Sequence, residues 1–106
     1  MLRRVLERTL DENGFDVTVA ESGDAAQALL LQGLQIDCLF TDIRMPGRLN
    51  GLDLARWAAG QQPGIAIVLQ TGYTDIDTGD LPVLRKPFSP DALIEAIRAA
   101  IGQRSR

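Results

Sequence analysis

The sequence has no histidine, one cysteine and one lysine, and each scarcity excludes a kind of chemistry. Histidine is the commonest general base and metal ligand at neutral pH, so its absence leaves carboxylates, hydroxyls, one lysine and one tyrosine. Cys38 cannot form an intramolecular disulfide, and it has no second cysteine or histidine with which to bind zinc. We therefore expect Cys38 to be a buried structural thiol.

The chain also lacks a long apolar run and a surplus of basic residues. No stretch approaches the roughly 20 apolar residues of a membrane-spanning helix, and the first arginines are not followed by the apolar core of a signal peptide. The net charge of −3 and the pI near 4.8 oppose binding to nucleic acid or anionic lipid, which need a basic surface. We expect a cytoplasmic protein that binds neither nucleic acid nor membrane.

The residues that are present suit one small α/β domain, which we place at residues 1–102, with a polar tail at 103–106. The chain has 106 residues, of which 45% are hydrophobic, and this is enough for a single core. Apolar spacing separates helices from strands. The predicted helices cover residues 1–12, 22–33, 52–59 and 89–101, and the predicted strands cover 15–20, 36–42, 65–70 and 81–85. This alternation predicts a four-stranded, mostly parallel sheet with helices on both faces.

Three polar residues stand at the carboxyl ends of different predicted strands. They are Asp42, Thr71 and Lys86. Folds of this class bind ligands beyond the carboxyl ends of their strands, so these side chains are expected to converge on one edge of the sheet. Lys86 is the single lysine beside ten arginines, and a flexible ammonium suits a phosphate as a point charge.

Each of these residues also has an ordinary structural interpretation. An aspartate at a strand end is commonly a turn or cap residue, a threonine there is a β-branched strand residue, and a lysine before a turn is a solvated charge. What favours a functional site is the joint spacing of the surrounding motifs. These are Asp-Ile-Arg-Met-Pro-Gly at residues 42–47, Leu-Asp-Leu-Ala at 52–55, Thr-Gly at 71–72 and Lys-Pro-Phe at 86–88.

This set of motifs resembles the receiver domain of two-component response regulators, and the resemblance extends over the whole chain. It implies a flavodoxin-like, doubly wound parallel sheet. It also implies that Asp42 accepts a phosphoryl group from a histidine kinase or a phosphotransfer protein. Thr71 would hydrogen-bond the phosphoryl oxygens, Lys86 would pair with the phosphate, and the backbone carbonyl of Arg44 would join Asp42 as a Mg²⁺ ligand. Such a domain is a signalling module and not an enzyme.

The sequence departs from the family at its beginning. The family's first strand ends in two acidic residues that supply most of the Mg²⁺ ligands, and the resemblance places that strand before Met1. The sequence as it stands is therefore expected to lack that strand, either because its start is placed too far downstream or because the chain is truncated and degenerate. Without that strand we expect four strands and weak binding of Mg²⁺, because Mg²⁺ usually needs one or two carboxylates. An exposed strand edge makes a homodimer or strand exchange an open possibility. Val83 also stands where the family often has an aromatic residue.

Two other functions compete with phosphoacceptance. The receiver fold can serve as a phosphorylation-independent interaction module, docking partners through the region around its last strand and last helix. A small hydrolase or nucleotide-binding protein of flavodoxin-like fold is less favoured, because the sequence has no glycine-rich phosphate loop and no base for a serine nucleophile.

Overall fold

The computed structural model describes residues 2–44, 49–72, 78–79 and 81–104. Helices and strands alternate along most of this part of the chain. In order they are α1 (Leu2–Glu12), α2 (Gly23–Leu31), β1 (Cys38–Asp42), α3 (Gly51–Gln61), β2 (Ala66–Thr71), β3 (Val83–Arg85) and α4 (Pro90–Arg104). No helix among the described residues is long and apolar enough to cross a bilayer.

Three of the helices begin at a polar side chain that accepts a hydrogen bond from the backbone. Ser22, Asn50 and Ser89 each accept from the amide three residues further on, at 3.0, 2.8 and 3.1 Å. Such caps satisfy amide groups that have no partner within the first helical turn. The cap at Asn50 matters for the site, because it fixes where α3 begins directly after the loop that follows β1.

The sheet is parallel, with β1 paired to β2 and β2 paired to β3. In this register Asp42 lies opposite Gln70, and Thr71 lies opposite Arg85. Parallel alignment brings the carboxyl ends of all three strands to one edge of the sheet, as the order of elements predicts. β2 is the central strand, and five of its six residues are buried.

Helices cover both faces of the sheet, which confirms the α/β architecture. On one face, α1 and α4 pack against the even-numbered strand residues, among them Ala66 and Val68. On the other face, α3 packs against Ile67 and Leu69, and α2 contacts α3. The alternation follows from strand geometry, since successive side chains point to opposite faces.

The prediction of a strand over residues 15–20 is wrong, and the described sheet has three strands instead of four. The segment is not assigned to any strand, and it does not pair with β1. Phe15 and Val17 nevertheless pack against the core cluster of α1 and α4, and the Arg98 guanidinium lies 5.8 Å from the centre of the Phe15 ring. Alternating polarity indicated half-buried residues, but it carries no information about a neighbouring strand.

Smaller differences concern segment ends. α4 continues through Gly102 to Arg104 instead of ending at Gly102, because a glycine near a helix end costs only about 1 kcal/mol. The peptide bond between Lys86 and Pro87 is cis. Most of the breaker-rich loop after Asp42 and most of the polar stretch after Thr71 lie outside the described residues, at positions 45–48, 73–77 and 80.

Candidate functional site

Asp42 and Lys86 meet at the carboxyl edge of the sheet. Asp42 is the last residue of β1, and Lys86 directly follows the last residue of β3. The Lys86 Nζ atom lies 2.9 Å from the Asp42 Oδ1 atom, so the two groups form a charge-assisted contact across the central strand. The structure thereby brings together two residues that are 44 positions apart in the sequence.

This ion pair is open to solvent. The Lys86 side chain is 40% exposed and the Asp42 side chain is 34% exposed. Ion pairs at such exposure contribute at most about 1 kcal/mol to stability, because water screens both charges. The pair therefore contributes more to the orientation of the Asp42 carboxylate than to the stability of the fold, and its exposure leaves that carboxylate accessible from solvent.

Thr71 lies at the same edge as the last residue of the central strand, and it is only 5% exposed. Its carbonyl oxygen accepts a hydrogen bond from the Lys86 backbone N–H at 2.9 Å. The threonine and the lysine are thus tied together through their backbones. Thr71, the third predicted site residue, therefore lies at the same edge of the sheet as Asp42 and Lys86.

Gln70 is a site residue that the sequence analysis missed. Its Nε2 amide donates to the second carboxylate oxygen of Asp42, Oδ2, over a long 3.4 Å, while its Oε1 atom is buried without a hydrogen-bond partner. If the Gln70 amide were rotated by half a turn, its Oε1 atom would face the Asp42 Oδ2 atom, and the two oxygens would repel each other. The available signal was a polar residue directly before Thr71 in a run that is otherwise apolar from Ile65 to Leu69.

The backbone behind Asp42 is held by Gly51, the first residue of α3. The Gly51 N–H donates to the Ile43 carbonyl at 2.9 Å, and the Thr41 hydroxyl donates to the Asp42 carbonyl at 3.0 Å. A Cβ atom at position 51 would overlap the Asp42 carbonyl group. Only glycine permits this approach, so the start of α3 directly supports the strand end that carries the carboxylate.

Comparison with known proteins assigns the chain to a family. The family model described as the response regulator receiver domain matches residues 1–98. The chain belongs to this family. Its domains are signalling modules, as the resemblance implied, and the solved structures that it resembles have the same fold.

Individual relatives agree with this assignment. The transcriptional regulatory protein FixJ of Bradyrhizobium diazoefficiens is 38% identical over 111 residues, which cover 96% of this chain and 52% of FixJ. The DNA-binding transcriptional regulator NtrC of Salmonella typhimurium is 33% identical, with 94% of this chain and 22% of NtrC covered. A response regulator receiver protein from Sinorhizobium medicae superposes with a TM-score of 0.89 at 33% identity, over 97% of this chain and 87% of that one. The chain thus spans about half of FixJ and less of NtrC.

Receiver domains of this family generally bind Mg²⁺, but the described residues are a poor fit to that ion. Mg²⁺ prefers six oxygen ligands in octahedral geometry. Of the expected ligands, Asp42 has both carboxylate oxygens in contact with Lys86 or Gln70, and Arg44 would add one backbone carbonyl. Within the described part of the chain, no three acidic, cysteine or histidine residues come together as a metal site.

Proposed function

We propose that this receiver domain accepts a phosphoryl group on Asp42 from a phosphohistidine of a kinase or phosphotransfer partner. The observation that carries the proposal is the 2.9 Å contact between Lys86 Nζ and Asp42 Oδ1 at the carboxyl edge of the sheet. It sets a compact cation against a half-exposed carboxylate. This arrangement supports phosphoryl transfer, in which charge stabilisation and positioning lower most of the barrier.

The transfer exchanges one bond to phosphorus for another. A carboxylate oxygen of Asp42 attacks phosphorus and forms an O–P bond, while the P–N bond to the partner's imidazole breaks. The bonding electron pair stays on that nitrogen, which takes up a proton. Lys86 is already adjacent to the attacking group, so its ammonium is positioned to offset the negative charge of the phosphoryl oxygens throughout.

Neighbouring residues contribute donors around the same carboxylate. The Thr71 hydroxyl, on a buried residue next to Gln70, would donate to a phosphoryl oxygen once it is attached. The Gln70 amide, 3.4 Å from Oδ2, would keep the carboxylate plane oriented before attack. With two oxygens held by different donors, Asp42 presents a defined face to the incoming group.

The proposal is tested with phosphoramidate, a small donor whose P–N bond resembles that of phosphohistidine, in buffer containing Mg²⁺. Intact mass should show an adduct of about 80 Da on the wild type. Lys86→Ala should form the adduct about 100-fold more slowly, which is the usual cost of losing one charge-stabilising donor. A wild-type protein that forms no adduct contradicts the proposal, and so does a Lys86→Ala variant that reacts at the normal rate.

The sparse set of metal ligands favours a second candidate, a receiver fold that binds its partner without being phosphorylated. In that case affinity for a histidine kinase would be the same for the wild type, Asp42→Asn and Lys86→Ala. If Asp42 is phosphorylated, phosphoramidate should change the affinity of the wild type for the kinase and leave the affinity of Asp42→Asn unchanged. Measuring kinase binding with and without phosphoramidate separates the two functions.

A further inference from the structure

The side chains of Lys86 and Gln70, which contact the Asp42 carboxylate, are held differently. Lys86 follows the last residue of β3, and its long side chain is 40% exposed. Gln70 belongs to the central strand, between two buried residues, and its backbone carbonyl accepts a hydrogen bond from the Ile43 N–H at 3.0 Å. A flexible ammonium can follow a bound anion, whereas the Gln70 amide is fixed opposite Asp42 by the register of the sheet.

The Gln70 amide destabilises the strand that carries it. Its Oε1 atom is buried and has no hydrogen-bond partner within the described part of the chain. A buried acceptor without a partner costs the desolvation of its oxygen, and an apolar side chain of the same length would avoid this loss. Such a group calls for an explanation in the chemistry of its surroundings. The other end of the amide gives one, because Nε2 donates to Asp42 Oδ2 at 3.4 Å.

This hydrogen bond favours the carboxylate form of Asp42 over a phosphorylated form. In the free side chain, both carboxylate oxygens share a negative charge. Once either oxygen is bonded to phosphorus, the side chain is an acyl phosphate, and its carboxyl oxygens no longer carry that charge. Hydrogen bonds to a charged acceptor are roughly twice as strong as those between neutral groups. The Gln70 donor therefore binds less tightly when a phosphoryl group arrives and more tightly when it leaves.

This preference acts on the loss of the phosphoryl group to water. A water oxygen attacks phosphorus and forms an O–P bond, while the bond between phosphorus and the Asp42 oxygen breaks. The electron pair of that bond returns to Asp42 as carboxylate charge, and both protons of the water leave with the inorganic phosphate. Bond breaking is well advanced in the loose transition states of phosphoryl transfer, so the carboxyl oxygens already carry much of that charge. A fixed N–H donor aimed at them lowers this barrier.

We propose that Gln70 is a leaving-group donor that shortens the lifetime of the phosphoryl group on Asp42. This role rests on the proposed function, because it requires a phosphorylated Asp42. It differs from the role of Lys86, whose ammonium offsets the charge of the phosphoryl oxygens. The Asp42 side chain is 34% exposed, so solvent water reaches the group that it attacks.

Acceptance of the phosphoryl group should respond less to Gln70 than its release does. The hydrogen bond that orients the carboxylate also withdraws charge from the oxygens that attack phosphorus. Its removal therefore loses orientation and gains nucleophilicity, and the two effects oppose each other. During release the acyl phosphate is already formed, so only the charge on the leaving carboxylate is affected. A donor to the leaving group thus predicts slower release with little change in acceptance when it is removed.

The test measures acceptance and release separately for the wild type, Gln70→Met and Gln70→Asn. Each protein is loaded with phosphoramidate and Mg²⁺, the donor is removed by rapid desalting, and intact mass follows the decay of the adduct of about 80 Da. Methionine removes the amide, and asparagine is one methylene shorter, which withdraws its amide from Oδ2. We expect a half-life about threefold longer in both variants, and an acceptance rate within about twofold of the wild type.

The matched control is Gln62→Met, which removes a glutamine amide at the other end of the sheet. Gln62 Nε2 donates to the Leu34 carbonyl at 2.9 Å, and its Oε1 accepts from the Ile36 amide at 3.4 Å, just before the amino end of β1. The half-life of the adduct on this variant should equal that of the wild type. Circular dichroism checks that each variant is folded, and Gln70→Asn decides the question if the methionine variant at position 70 does not fold.

The outcomes separate this role from the proposed function. A wild type that forms no adduct overturns both. An adduct whose half-life is unchanged or shorter in the folded Gln70 variants overturns the role of Gln70 alone. A longer half-life in Gln70→Met but not in Gln70→Asn would mean that an apolar side chain excludes water, and it also overturns that role. The same follows if Gln62→Met lengthens the half-life equally.

Discussion

Replacing Gly51 with alanine should destabilise the fold and displace the candidate nucleophile. The added Cβ atom would overlap the Asp42 carbonyl, which is backbone and cannot rotate away. Either the start of α3 or the end of β1 must move. Overpacking of this kind costs about 1–3 kcal/mol, and the better helix propensity of alanine offsets less than about 1 kcal/mol of it.

The matched control is Gly60→Ala, in the same helix. A Cβ atom at position 60 meets nothing within 4 Å, so alanine there should stabilise the protein by about 0.5–1 kcal/mol. For Gly51→Ala we expect a net loss of about 2 kcal/mol, which lowers the melting temperature of a domain of this size by roughly 10 °C. The two substitutions should therefore change stability in opposite directions.

Urea unfolding followed by circular dichroism measures both variants, and the adduct assay measures the site. Gly51→Ala should accept the phosphoryl group from phosphoramidate more slowly than Gly60→Ala at a temperature where both remain folded. Equal unfolding free energies for the two variants would refute the proposed close approach of α3 to Asp42. Reduced stability with an unchanged phosphorylation rate would refute its role in positioning the carboxylate.

Three further substitutions test individual contacts. Lys86→Ala should change the unfolding free energy by less than about 1 kcal/mol in urea titration, because its ion pair with Asp42 is solvent-exposed; a larger loss would make the lysine a structural residue. Gln70→Met removes a buried oxygen that lacks a partner, so the urea midpoint should rise, and a marked fall would mean that the amide is required for folding. Asn50→Ala removes the acceptor for the Asp53 amide and should cost about 1 kcal/mol in the same assay; no loss would exclude a stabilising cap.

The features that could be predicted from the sequence are those encoded in local patterns. The apolar run before Asp42 and the alternation of elements predicted a parallel strand with an acid at its end, and the structure has one there, although only one of its five residues is fully buried. The meeting of Asp42 with Lys86 also followed from topology, because the carboxyl ends of parallel strands share an edge. Helices beginning at residues 22 and 89 were also predicted, and in the structure Ser22 and Ser89 cap the two helices that start there.

The features that were missed depend on contacts between distant segments. Whether residues 15–20 form a strand is decided by what lies beside them, and no pattern within six residues reports that. Gln70 reaches Asp42 only because the register sets the two residues opposite each other. The need for glycine at position 51 arises from the carbonyl of a residue nine positions earlier. The secondary-structure propensity of residues describes a single segment, whereas each of these constraints depends on contacts between two segments.

The central claim is that Asp42, and no other carboxylate, accepts the phosphoryl group. The most direct test is to compare Asp42→Asn with Asp37→Asn, which changes the acid just before the opposite end of the same strand. After incubation with phosphoramidate and Mg²⁺, intact mass should show the adduct of about 80 Da on the wild type and on Asp37→Asn, and none on Asp42→Asn. An adduct that persists in Asp42→Asn would contradict the account.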